Sequence, residues 1–142
     1  MLIFLTCFSL PASDTGVFGV WRVNFRRSTN AYNHTVVVRF EPHRSGEVFT
    51  LDLIERDGRS TTSSTILYLD GKARDFEGLD CSGTQLSRRL DSHTVEILRA
   101  CHSGEWTRIV RYLSADPKEL VIEITEQHAD RRSERKLILD RQ

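Results

Sequence analysis

Three arginines set among apolar residues are the part of this sequence best suited to chemistry: Arg88, Arg99 and Arg108. Arg88 sits between Leu86 and Leu90 at alternate positions, Arg99 follows Val95 and Ile97, and Arg108 precedes Val110 and Tyr112. If Ser103-Gly104 forms a two-residue hairpin turn, Glu96 faces Arg111, Ile97 faces Val110, Arg99 faces Arg108 and Cys101 faces Trp106. The face carrying Arg99, Arg108, Trp106 and Tyr112 is then mostly apolar and is expected to look inward. Two guanidiniums opposed in such a place are costly without a counter-charge. An anionic ligand could supply it, because the planar guanidinium fork meets carboxylate or phosphate at two points. Arg99, Arg108, Tyr112, Trp106 and Arg88 are therefore the candidate ligand-binding residues, with an apolar tail along Val110, Ile97, Leu51 and Leu53. Two arrangements would leave no such site. Glu123 could neutralise Arg108 from a neighbouring strand, or a one-residue register shift could turn these side chains to solvent.

Positioning those residues requires strands. Turn signals fall at Asp57-Gly58, Asp70-Gly71, Asp91-Ser92, Ser103-Gly104 and Ala115-Asp116-Pro117, between runs rich in β-branched and aromatic residues. The spacing predicts strands near 16–27, 35–41, 47–56, 59–68, 72–76, 84–90, 94–101, 106–113, 120–127 and 133–140. Several alternate clearly, as in Phe49, Leu51 and Leu53 against Thr50 and Asp52. No segment carries a helical period, and the gaps leave no room for crossover helices. The expected fold is all-β: one antiparallel up-and-down barrel of about eight to ten strands, closed to hide its edges.

The chain has 142 residues, which suits one domain, with 20 basic and 20 acidic side chains. A balanced charge gives no field to draw nucleic acid, and no nucleic-acid partner is expected. The basic run 131–136 is interrupted by Glu134 and reads as a solvated turn. Residues 1–13, with an unbroken mostly apolar run from Leu2 to Leu10, read as a truncated export signal lacking its positive start, with a buried N-terminal segment as the alternative, and the domain is expected over 14–142. That run is too short to span a bilayer, so no integral membrane segment is expected. Export, to the periplasm or outside the cell, would put Cys81 and Cys101 in an oxidising compartment. They flank the Asp91-Ser92 turn at nearly equal distances, so a disulfide across that hairpin is expected; two buried thiols are the alternative.

Other chemistry finds little support. Cys101-His102 lacks a second paired ligand motif, and His34, His43, His93 and His128 are scattered, so no metal or cofactor is expected. Ser, His and Asp are present without a nucleophile elbow, and no catalytic residue is assigned. The hydroxyl run Ser60–Thr65 would turn half its side chains inward, toward a polar ligand or water, or form a hydrated edge. Trp21, Phe25, Phe40 and Phe49 suit core and pocket lining equally.

Gly19-Val20-Trp21 near the first strand resembles the G-x-W signature of the lipocalins. With Arg22-Val23-Asn24, Ser28, Asp70-Gly71-Lys72, the run Arg89–Glu96, Ser114-Ala115-Asp116 and the ending Asp140-Arg141-Gln142, the chain is similar to exported bacterial lipocalin-like proteins of uncharacterised function. It departs from them at Asp116-Pro117-Lys118, where they carry Asp-Gly-Lys. The resemblance implies a calycin-type barrel with Gly19, Trp21 and Arg141 in structural roles, Arg141 packing on the Trp21 ring. It implies no reaction. The expected role is non-catalytic binding of a small hydrophobic or amphipathic ligand, with a side-chain-filled protein-interaction or inhibitor module as the rival.

Overall fold

The computed structural model describes residues 15–79 and 81–142. The expected export signal, 1–13, lies outside the described residues. After a single 3-10 turn, Thr15–Val17, come ten strands: β1 (Gly19–Val23), β2 (Thr35–His43), β3 (Gly46–Ile54), β4 (Ser60–Leu67), β5 (Arg74–Glu77), β6 (Ser82–Arg89), β7 (Thr94–Cys101), β8 (Trp106–Leu113), β9 (Glu119–His128) and β10 (Arg131–Arg141). They form one antiparallel sheet in the order β4-β3-β2-β1-β10-β9-β8-β7-β6-β5. Pairing of β1 with β10 brings the two halves together, Trp21 opposite Arg141 and Val23 opposite Leu139.

The alternation that predicts the strands also fills the interior. Val36, Val38 and Phe40 point inward from β2, Leu120, Ile122 and Ile124 from β9, and Leu137 and Leu139 from β10, all buried. Phe40 and Phe49 face each other in register and stack with centroids 5.0 Å apart.

The edge strands β4 and β5 do not pair with each other. Instead the chain after β4 crosses to β6: Leu69 N donates to Ser87 Oγ at 2.9 Å, and Gly71 N to Ser87 O at 2.8 Å. The Asp70-Gly71 turn thus serves this crossing rather than a tight hairpin. Farther along the gap, Gln85 Nε2 donates to Thr65 Oγ1 at 3.0 Å.

One end of the barrel is solid. Trp21 is fully buried there, its Nε1 donating to Val17 O at 2.8 Å. The Arg141 guanidinium lies 4.1 Å from the Trp21 ring and donates to the carbonyls of Phe18 and Gly16. The other end carries the β3–β4, β5–β6, β7–β8 and β9–β10 turns and the segment 24–34.

Two expectations need correction. The first predicted strand, 16–27, is shorter, because Asn24 turns the chain: its Oδ1 accepts from Arg26 N and Arg27 N at 3.2 and 3.3 Å. The β7–β8 hairpin has three loop residues, not two. Cys101 N donates to Glu105 O and Gly104 N to Cys101 O, with Gly104 at φ +95°, a left-handed position suited to glycine. Arg99 therefore faces Thr107, Glu96 faces Val110, Leu98 faces Arg108 and Val95 faces Arg111. A one-residue slip sends every β8 side chain to the opposite face from the one expected.

Candidate ligand-binding cavity

The open end leads into a cavity of about 340 Å³. Its wall is apolar: Val36 and Val38 from β2, Phe49, Leu51 and Leu53 from β3, and Ile109, Ile122, Ile124 and Leu137 from β8–β10. Polar groups gather toward the mouth, where Tyr32, Arg99, Glu105, Thr107, Glu126 and His128 line the space. Ser63 and Thr65 join them from β4, while Thr62 and Ser64 turn outward to Asp52 and Thr50 at 2.6 Å each. This division splits the Ser60–Thr65 hydroxyl run between the two faces of one strand.

Arg99 is the cation of the cavity. Its Nε donates to Gln85 Oε1 at 2.8 Å, and its guanidinium stacks 4.4 Å from the Phe76 ring centroid. Among the described residues it makes no ion pair. Burial pushes its pKa down to about 10, only partly countered by the nearby Tyr32. The group remains charged at neutral pH and is held in an environment that penalises the charge.

Tyr32 covers part of the mouth. Its hydroxyl donates to Glu126 Oε1 at 3.2 Å, and Arg135 stacks 4.2 Å from its ring. Burial, reinforced by the Glu126 carboxylate, pushes its pKa up to about 12. Arg135 is held by donating to Asn30 O at 2.6 Å. Beside it, His128 bridges two carboxylates, with Nδ1 3.2 Å from Glu105 and Nε2 3.5 Å from Glu126. The bond to Glu105 raises its pKa above the ordinary value. Cys81 and Cys101 form a disulfide on the cavity edge, with Cα atoms 5.5 Å apart, tying the β5–β6 turn to the end of β7.

Of the expected ligand-binding residues, only Arg99 lines the cavity. Trp106, Arg108, Tyr112 and the expected tail contact Val110 lie on the outer wall because of the three-residue turn, and Arg88 lies there because its β6 register sets it opposite the outward Glu96. Arg88 and Arg108 meet on Glu96, their Nε atoms 2.8 and 2.7 Å from its two oxygens. Burial alone would raise the Glu96 pKa, but the Arg108 and Arg88 guanidiniums outweigh it and hold the carboxyl below its usual range. Tyr112 donates to Glu123 Oε1 at 3.2 Å, so Glu123 serves Tyr112 rather than Arg108.

The arginine that does turn inward from β8 is Arg111, which is 1% exposed. It forms a two-point ion pair with Glu47 of β3 at 2.5 and 2.8 Å and lies 4.4 Å from the Phe40 ring. Glu47 shares the inward phase of Phe49, Leu51 and Leu53, a signal for a buried charge available in the sequence. Tyr32 lies outside every strand and had no comparable signal. Among the described residues, no group of His, Cys, Asp and Glu is arranged to hold a metal, and no helix is long and apolar enough to cross a membrane.

No protein-family model and no curated protein sequence matches this chain. Solved structures do. A Schistosoma mansoni fatty acid binding protein in complex with arachidonic acid is similar over 92% of this chain and 99% of its own, at 13% identity and TM-score 0.62. Zebrafish ileal bile acid-binding protein complexed with cholic acid is similar over 90% of this chain and 100% of its own, at 12% identity and TM-score 0.61. Apo Caenorhabditis elegans lipid binding protein 8 is similar over 92% and 98%, at 8% identity and TM-score 0.63. At these identities the likeness is one of fold: an antiparallel β-barrel of ten strands.

Proposed function

We propose that this protein binds a small amphipathic anion non-catalytically in its barrel, the apolar body against the β2, β3 and β9 wall and the anionic group on Arg99. One observation carries the reading: a half-buried guanidinium without a carboxylate partner among the described residues, at the mouth of a cavity whose β2, β3 and β9 wall is hydrocarbon. A carboxylate or phosphate would relieve the burial penalty on that charge with charge-assisted hydrogen bonds. The cavity volume falls within the range of small-molecule sites. The fatty acid and bile acid complexes of similar fold support the choice of ligand class as analogy.

The rival reading, a barrel filled by side chains and used as an interaction or inhibitor module, is disfavoured by the open cavity. The Cys81–Cys101 bond supports function in an oxidising compartment, the periplasm or outside the cell. Native mass spectrometry of protein exported by its host and purified without detergent tests the reading. A reproducible extra mass that fragments as an anionic lipid or related amphiphile is expected. A clean apo mass, together with no saturable binding of fatty acids or bile acids, would overturn it.

A further inference from the structure

We infer that a ligand enters this barrel tail first, so that its anionic head stays at the mouth and single-chain lipids with enlarged anionic head groups are accepted alongside free acids. This inference rests on the binding role proposed above and adds an orientation and a ligand class to it.

The two inward arginines of the β7–β8 hairpin stand at different depths. Arg99 stands two positions from Cys101, at the mouth. Arg111 lies opposite Val95, four positions farther down β7, or about 13 Å along a strand at ~3.3 Å per residue. The two terminal nitrogens of the deep arginine are taken by the two oxygens of Glu47, its Nε is buried without a partner, and its guanidinium packs on the Phe40 ring. Between the two levels the wall is hydrocarbon from Leu51 and Phe49 to Ile109 and Ile122, with the hydroxyls of Ser63 and Thr65 beside it on β4.

A head-in ligand would bring its anion down to stacked Phe40 and Phe49, where the terminal nitrogens of the guanidinium beyond are held by the Glu47 carboxylate. Its charge would be desolvated with the Thr65 hydroxyl beside it and no arginine of the Arg99 kind to meet it. Its tail would meanwhile displace water from Arg99, Thr107 and Glu105 and satisfy none of them. The opposite orientation matches each end of the ligand to its surroundings. Because Arg99 lies beside the mouth, atoms attached beyond the anionic group would project into solvent rather than into the wall.

The two tryptophans of the chain give a direct readout, since Trp21 marks the closed end and Trp106 sits on the outer wall. In the Trp106→Phe protein, Trp21 is the sole tryptophan reporter, and two nitroxide-labelled stearates serve as quenchers, one labelled near the carboxylate and one near the methyl end. Stronger saturable quenching of Trp21 by the methyl-end label is expected; stronger quenching by the carboxylate-end label would overturn the orientation. Displacement of a fluorescent fatty acid by palmitate and by palmitoyl lysophosphatidylglycerol tests the head-group tolerance. Affinities within about tenfold of each other are expected. Binding of palmitate with more than about a hundredfold loss for the lysolipid would contradict the inference while leaving the binding role intact. If the fluorescent fatty acid, palmitate and the labelled stearates all fail to bind, the binding role falls and the orientation falls with it.

Discussion

Glu47 and Arg111 meet across the interior from strands that are not neighbours in the sheet, both side chains 2% exposed. Arg89 approaches the same carboxylate at 3.6 Å from the barrel edge. This pair joins β3 to β8 beneath the cavity and, with Trp21 and Arg141, makes one end of the barrel solid. Among the described residues, the cavity above it is thereby left with one arginine outside any ion pair, Arg99.

Removing one member of that pair leaves the other buried and unpaired. Glu47→Ala is expected to cost about 3–5 kcal/mol, measured by urea denaturation. The double variant Glu47→Leu/Arg111→Met, which removes both charges and keeps the volume, should lie within about 1 kcal/mol of the parent. A single variant as stable as the parent would show that the pair does not hold the closed end.

Arg99 should behave in the opposite way. Its charge is held against a burial penalty, so Arg99→Met is expected to stabilise the unliganded protein by about 1–3 kcal/mol, seen as a higher Tm. The same change should weaken an anionic ligand by about 10–100-fold. A folded variant that is destabilised without ligand would mean that the Gln85 and Phe76 contacts already satisfy the guanidinium.

The fold was legible in the sequence because alternation and turn residues act locally. All ten strands lie near their predicted positions, and the Cys81–Cys101 spacing across a hairpin put the two cysteines within bonding reach. The site was legible only in part, because one loop residue decides the face of a whole strand. Ser103-Gly104 suits a two-residue turn and a three-residue turn alike, and the choice sent Arg108, Trp106 and Tyr112 out and Arg111 in. Arg99 kept its place because its strand precedes the turn. The inward phase of Glu47 is a local pattern, but its pairing with Arg111, like the place of Tyr32, depends on contacts across the barrel, which no local pattern encodes.

His128 gives a pH test at the mouth. Its folded pKa is raised above 6.5 by the bond to Glu105, with Glu126 adding to the effect. A raised folded value means that its contribution to stability is fully present below the ordinary histidine pKa and is lost as pH rises through the folded one. An NMR titration should find its midpoint above 6.5, moving down in Glu105→Gln. A midpoint that stays put in that variant would remove Glu105 as the cause.

The Cys81–Cys101 bond closes a loop with a sequence separation of 20. Its removal by Cys81→Ser/Cys101→Ser is expected to cost about 3 kcal/mol. Hydrogen exchange should rise first at the β5–β6 turn, which the bond ties to β7. Uniform exchange across the barrel, with no excess at that turn, would argue that the bond does not restrain the mouth.

The most direct test of the account is a pair of calorimetric titrations, a fatty acid against its methyl ester, on the parent and on Arg99→Met. The parent is expected to prefer the acid by about tenfold or more, and the variant to bind acid and ester alike, with the ester affinity unchanged from the parent. An acid preference that survives intact in the folded variant would contradict the assignment of Arg99 as the anion-binding residue of this barrel.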